Sequence, residues 1–174
     1  MTTLKTLTIT DDSGFLAIVN ADRYHSFVDE NWELSQLFNH FVDEMNNDNL
    51  ILWQTGAEGD WKVQFVDKQT TLKSFREFST SIEVTDRQLF LTNYEDLTMA
   101  AQFEDEKVPA QHNAHCYLQL DNGKYKVIVR QLFSLNEYVS DDNNNFEVII
   151  QADAMSGPEY INEVFWRSEK SPYN

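Results

Sequence analysis

From residue 50 to residue 150 the apolar side chains recur mostly at every second position, in short segments separated by polar turns. A period of two sets successive side chains on opposite faces of an extended chain, so this stretch must fold as strands. Phe78, Thr80, Ile82 and Val84 share one face, and Ser79, Ser81, Glu83 and Thr85 share the other. The polar second face implies a sheet with water on one side. Leu50-Ile-Leu-Trp53 and Trp61-Lys-Val-Gln-Phe-Val66 flank Gly56-Ala-Glu-Gly59 and are predicted to form a hairpin with a longer loop. A second hairpin is predicted from His115–Leu120 and Tyr125–Arg130, because Asn122-Gly123 accepts the positive φ of a tight turn. Gln88–Thr92 follows a turn at Asp86-Arg87, Leu97 to Phe103 is predicted as a further strand, and Phe146–Ile150 as the last one. Near the N-terminus, Phe15-Leu-Ala-Ile-Val19 is apolar throughout and reads as a strand buried on both faces.

One segment departs from this period. Leu34, Leu37, Phe38, Phe41 and Met45 recur at helical spacing, with Glu33, Gln36, His40, Asp43, Glu44 and Asn47 opposite. Asn31 is the predicted N-cap and Asn46-Asn-Asp-Asn49 the stop. The expected fold is therefore mainly β, in the α+β class: an antiparallel β-sandwich of about eight strands with one amphipathic helix near residues 31–46. The helix is expected to cover an end or an edge of the sheets. A chain of 174 residues without repeats or linkers suits a single domain, 1–174. Gly157-Pro158 and Pro172 predict an irregular tail after about residue 155.

Charge narrows the range of partners. The chain has 29 acidic and 13 basic side chains, a formal net charge of −16. Free nucleic acid and anionic membranes are poor partners for such a surface, since both are held by clustered Lys and Arg. The acidity is regional. No Lys or Arg occurs from Tyr24 to Trp61, where Asp29, Glu30, Glu33, Asp43, Glu44, Asp48, Glu58 and Asp60 fall. None occurs from Gln131 to Trp166 either. Asp43, Glu44 and Asp48 lie at the negative end of the predicted helix, where each opposes the helix dipole. Either a partner or a cation arriving from a strand, such as Lys62, Lys73 or Arg76, must offset them. With one Cys, no apolar leader and no membrane-spanning run, a cytoplasmic location is expected.

The strand Ser79–Thr85, the strand Leu89-Phe-Leu91, the segment Leu118-Gln-Leu-Asp-Asn-Gly-Lys-Tyr-Lys-Val-Ile-Val-Arg130 and Phe146–Gln151 follow one another in an order that resembles a known family. Over about residues 78–152 the chain resembles the competence-associated DNA-entry nuclease inhibitors and related bacterial proteins. The resemblance implies a non-enzymatic protein that binds and restrains a nuclease. It transfers no inhibitory residue.

Candidate chemistry is sparse. His112, His115 and Cys116 cluster, but zinc needs a fourth ligand. On a strand, His115 and Cys116 would face opposite sides, which argues against a nucleophile pair as well. Asp141-Asp-Asn-Asn-Asn-Phe-Glu147 alternates oxygen ligands, yet Phe146 stands where a calcium loop needs Gly and Ala152 where it needs Glu. Trp53, Trp61, Tyr94 and Trp166 are expected to pack in the core. No catalytic residue, metal or cofactor is assigned. The expected function is an acidic binding protein, an inhibitor or immunity protein that occludes a basic nuclease or toxin. Its partner-binding residues are expected to be Asp29, Glu30, Glu33, Asp43, Glu44 and Asp48. The alternative is a β-sandwich enzyme or carbohydrate-like ligand binder with a cleft lined by Trp and carboxylates. A self-associating structural protein is the third reading, and the sequence leaves the oligomeric state open.

Overall fold

The alternating segments pair into two sheets, seen in a computed structural model that describes residues 3–134, 144–153 and 159–167. The elements in chain order are β1 (Thr3–Asp11), β2 (Phe15–Val19), α1 (Leu34–Asn46), β3 (Leu50–Gln54), β4 (Gly59–Val66), β5 (Arg76–Val84), β6 (Gln88–Asn93), α2 (Tyr94–Gln102), β7 (Tyr117–Gln119), β8 (Gly123–Gln131) and β9 (Phe146–Ala152). A short 3-10 turn, Gln111–Asn113, precedes β7. Five strands form one sheet in the order β1-β4-β9-β8-β5, and four form the other in the order β3-β2-β6-β7. The fold is mainly β, as the period predicts, with nine strands among the described residues.

The inner faces of the two sheets meet in one core. Leu7, Ile9, Val63, Phe65, Ile82, Val127, Val129 and Val148 from the larger sheet pack with Leu16, Ile18, Ile51, Trp53, Leu89 and Leu91 from the smaller. Trp53, Trp61 and Trp166 belong to this core, as expected. The outer face of the smaller sheet is also apolar, through Ala17, Val19, Leu50 and Leu52. Leu37, Phe38, Phe41 and Met45 of α1 and Leu97, Ala100 and Ala101 of α2 cover it. Each large side chain buried there contributes about 1.5–3 kcal/mol. The helices therefore form a third layer over the sheet, where an end or an edge was expected. The reason lies in β2 and β3: with both faces apolar, neither tolerates water on its outer side.

Four further expectations are corrected. Residues 97–103 are not a strand; Tyr94–Gln102 is a helix, started by Asn93, whose side chain accepts the Asp96 N–H. Helix α1 starts at Leu34 with Glu33 as cap, its N–H bonded to Gln36 Oε1 at 3.4 Å, and Asn31 lies outside it. Upstream, the N–H groups of Val28 and Asp29 both bond to Ala101 O, which ties the chain to the end of α2 before α1 begins. Neither predicted hairpin exists. β3 pairs with β2 and β4 with β1; β7 pairs with β6, and β8 with β5 and β9. Gly123 does adopt a positive φ of 147°, but its turn carries the chain from one sheet to the other. Finally, β4 and β9 run parallel, in a sheet that is otherwise antiparallel. Residues 159–167 contain no helix or strand, but Ile161, Val164 and Trp166 are buried and Phe165 bridges to Trp53.

Candidate functional site

The helical layer decides which of the α1 acids face water. Asp29, Glu30, Glu33 and Asp43 are exposed. Glu44 and Asp48 are not, at 7% and 6% exposure. Asp48 sits in the left-handed turn after α1, with φ 61°. Its Oδ1 accepts the Ser81 hydroxyl at 2.6 Å, its backbone oxygen accepts the Glu83 N–H, and Lys124 Nζ lies 3.6 Å from Oδ2. A strand cation does offset the helix end, and it is Lys124. Glu44 accepts the Asn49 side-chain amide at 2.7 Å and, more weakly, the His25 N–H at 3.4 Å. Asp48 ties the end of α1 to β5 and β8, Glu44 bonds to the loops on either side of α1, and both are closed to a partner in this conformation.

One backbone contact brings the exposed acidic segment that starts at Asp29 to the end of α2, beside a run that the sequence reading left out of the site. The Asp29 N–H lies 3.1 Å from Ala101 O, at the C-terminal end of α2. Glu104, Asp105 and Glu106 leave α2 directly after that point, and the Glu106 N–H turns back onto Phe103 O at 3.1 Å. Chain reach keeps Glu104 within about 11 Å of Ala101. Asp29, Glu30, Glu33, Glu104, Asp105 and Glu106 are all exposed, form no ion pair among the described residues, and have Lys107 as their sequence neighbour. Met99 and Phe103, one helical turn apart, are 48% and 40% exposed beside them, and Leu34 is 54% exposed at the start of α1. The acidic run 104–106 was visible in the sequence, but nothing local said that it meets residues 29–33. Asp43 stands apart, about 15 Å along α1 from Glu33. Arg167 stacks on the Phe38 ring at 3.7 Å, about 7.5 Å along α1 from Glu33.

Beneath α1 lies a titratable cluster. The Tyr24 and His40 rings are 5.8 Å apart, and His25 and His40 6.2 Å. Burial, reinforced by the Glu44 charge, pushes the Tyr24 phenol well up. Burial lowers the His40 imidazole below its usual 6.5; the charge of His25 adds to that, while Glu44, the His25 carbonyl and Asp43 oppose it. A depressed histidine keeps the folded state neutral while the unfolded chain takes up a proton. Its contribution is present above the unfolded value near 6.5 and is lost as pH falls through the folded one. Denaturation midpoints are therefore expected to drop below pH 6.5, and His40→Phe is expected to flatten that decline.

The other candidates resolve plainly. His115 precedes β7 and does not lie on a strand, so its Nε2 reaches Cys116 Sγ at 3.4 Å; the expected opposite facing is wrong because the backbone leaves the 3-10 turn curled. The thiol is 1% exposed and its pKa is raised by burial, the opposite of an activated nucleophile. No group of three His, Cys, Asp or Glu among the described residues is placed to hold a metal. The oxygen-rich loop lies outside the described residues at 141–143. Clefts of about 460, 520 and 430 Å³ are lined without any tryptophan. In the last, Glu95 Oε1 is occupied by the Asp12 N–H and the Ser13 hydroxyl. Among the described residues no helix is long and apolar enough to cross a membrane.

No family model and no curated protein matches the sequence. Solved structures do match in fold. The chain is similar to the crocagin biosynthetic gene J protein, with a TM-score of 0.56 and 12% identity over 85% of this chain and 96% of that one. It is also similar to ComJ, the inhibitor of the DNA-degrading activity of NucA from Bacillus subtilis. That match has a TM-score of 0.49 and 11% identity over 87% of this chain and 96% of the other. At 12% identity the likeness to the first of these is one of fold.

Proposed function

We propose that this chain is a non-enzymatic binding protein that neutralises a basic protein, such as a nuclease or toxin, by occluding its cationic surface. The observation that supports this reading is the convergence at the end of α2 of two acidic runs, 29–33 and 104–106, with no ion pair of their own among the described residues. Met99 and Phe103 supply apolar area beside them. Carboxylates steer a cationic partner and set orientation, while the apolar neighbours slow its release. Of the six acids expected to bind, Asp29, Glu30 and Glu33 remain in the proposal, and Glu104, Asp105 and Glu106 replace Asp43, Glu44 and Asp48.

The test is a partner captured from the native cell and then titrated as a purified protein. Changing Asp29, Asp105, Glu30, Glu33, Glu104 and Glu106 to their amides is expected to raise Kd at least tenfold at low salt. It is also expected to flatten the dependence of Kd on ionic strength. Glu58→Gln with Asp60→Asn, off this face, should change little. An unchanged Kd in the six-site variant, or binding indifferent to salt, would remove the proposal.

A further inference from the structure

The register of the larger sheet leaves the outer edge of β5 open in its middle among the described residues. The Leu132 N–H bonds to Asn145 O and the Asp153 N–H to Lys124 O, so the even-numbered residues of β8 turn toward β9. The odd-numbered ones, Tyr125, Val127 and Val129, therefore bond across to Ile82, Thr80 and Phe78 of β5. It follows that Glu77, Ser79, Ser81 and Glu83 point their N–H and C=O groups away from β8. Glu83 agrees: its N–H donates to Asp48 O at 2.9 Å and its carbonyl accepts Asn20 Nδ2 at 2.8 Å. Nothing among the described residues does the same for the backbone of Ser79 or Ser81.

Among the described residues the other edges are short or capped along part of their length. Gln54 and Leu52 of β3 exchange hydrogen bonds with Phe165, at 3.0 and 3.2 Å. On β1, Thr10 O accepts Asn93 Nδ2 at 2.8 Å and the Cys116 thiol lies 3.7 Å from Thr8 O. β7 has only three residues. Edge strands are commonly protected by lysine, proline or a bulge, and Glu77–Ile82 has no lysine, proline or register shift. Instead, Ser79, Thr80 and Ser81 form one wall of a groove of about 460 Å³. The facing wall carries Glu159, Tyr160 and Glu163, with Tyr160 77% exposed.

We propose that this edge binds an extended, lysine- or arginine-bearing segment of a partner protein by strand addition, with Ser79 and Ser81 supplying the main-chain bonds. Charge selects the occupant. Among the described lining residues, Glu159 and Glu163 are exposed carboxylates and Lys126 is the cation. A second copy of this chain would present its own Glu77–Ile82, which carries no lysine or arginine to meet these acids. The surface is separate from the helical face, being on the other sheet, and either can fail without the other.

The probe is an acetylated, amidated peptide that alternates valine with lysine or arginine. Its addition to the full chain is expected to slow amide exchange at Ser79 and Ser81 at least tenfold, with little change at Phe78 and Thr80, whose N–H groups already bond to β8. Ser79→Pro removes only an outward N–H, so it should keep the circular dichroism of the parent and weaken binding at least tenfold, while Ser79→Ala binds as the parent does. If Ser79→Pro does not fold, the exchange pattern of the parent decides. Peptide binding without slowed exchange at these two amides overturns the proposal. So does an unchanged Kd in a folded Ser79→Pro, or a concentration-dependent dimer that protects the same amides without peptide.

Discussion

Arg130→Met is expected to lower the unfolding free energy by about 3–5 kcal/mol, the usual cost of removing one partner from a buried ion pair. Arg130 and Glu147 lie on the outer face of the five-stranded sheet, where charges ordinarily meet water. Here they are 2% and 0% exposed. The connection from β4 to β5 folds across them: the Thr70 N–H bonds to Glu147 Oε1 at 3.0 Å, its hydroxyl bonds to Oε2, and Leu72 O accepts from the guanidinium. Arg130 also reaches Glu147 Oε1 at 3.0 Å and Glu77 Oε2 at 3.2 Å. Methionine fills much of the volume but leaves the Glu147 carboxylate buried with only Thr70 to solvate it. Adding Glu147→Leu removes that stranded charge and should restore about half of the loss, leaving about 1–3 kcal/mol for the Thr70 and Leu72 groups. Urea titration of both variants, read by linear extrapolation, checks the pair. A loss under 1 kcal/mol in Arg130→Met would mean that the connection does not seal this site in solution.

Asp11→Ala should cost a similar amount, about 3–5 kcal/mol, for a different reason. Asp11 is fully buried without a cation. Its Oδ1 accepts the N–H groups of Ser13, Gly14 and Phe15 at 3.0, 2.8 and 3.2 Å. Its Oδ2 lies 2.9 Å from the Thr55 hydroxyl and 3.1 Å from Trp61 Nε1. One carboxylate thus closes the turn between the two sheets and satisfies a core tryptophan. Gly14 in that turn has φ 85°, so the tight reversal depends on residue 14 as well. Asp11→Asn keeps an acceptor for the three N–H groups but sets its amide against the Trp61 N–H. It should therefore cost less, about 1–3 kcal/mol, and the ranking Ala worse than Asn is the diagnostic result. Equal stability of both variants and the parent would show that other groups hold the turn.

The sequence by itself determined the type of most segments and which way their side chains point. The period of two in residues 78–85 and 125–130, the continuous apolar run at 15–19 and the stripe from Leu37 to Met45 all reappear, because backbone geometry ties side-chain direction to local spacing. It determined the helix less well at 94–102, where Asn93 followed by Glu95 and Asp96 was a readable start signal beside a strand-like apolar content. The tertiary structure alone decided which strands pair. In a two-sheet fold a short connection leads either to the neighbouring strand or across to the facing sheet, and alternation is the same in both; hence neither predicted hairpin formed. The same non-local choice drew Asp48 to Ser81 and Lys124, closed Glu44 beneath α1, and brought residues 104–106 to 29–33. Charge is written in the chain, but exposure belongs to the packing of elements distant in sequence, so the acidic face and the open edge at Ser79 appear only once the layers are assembled.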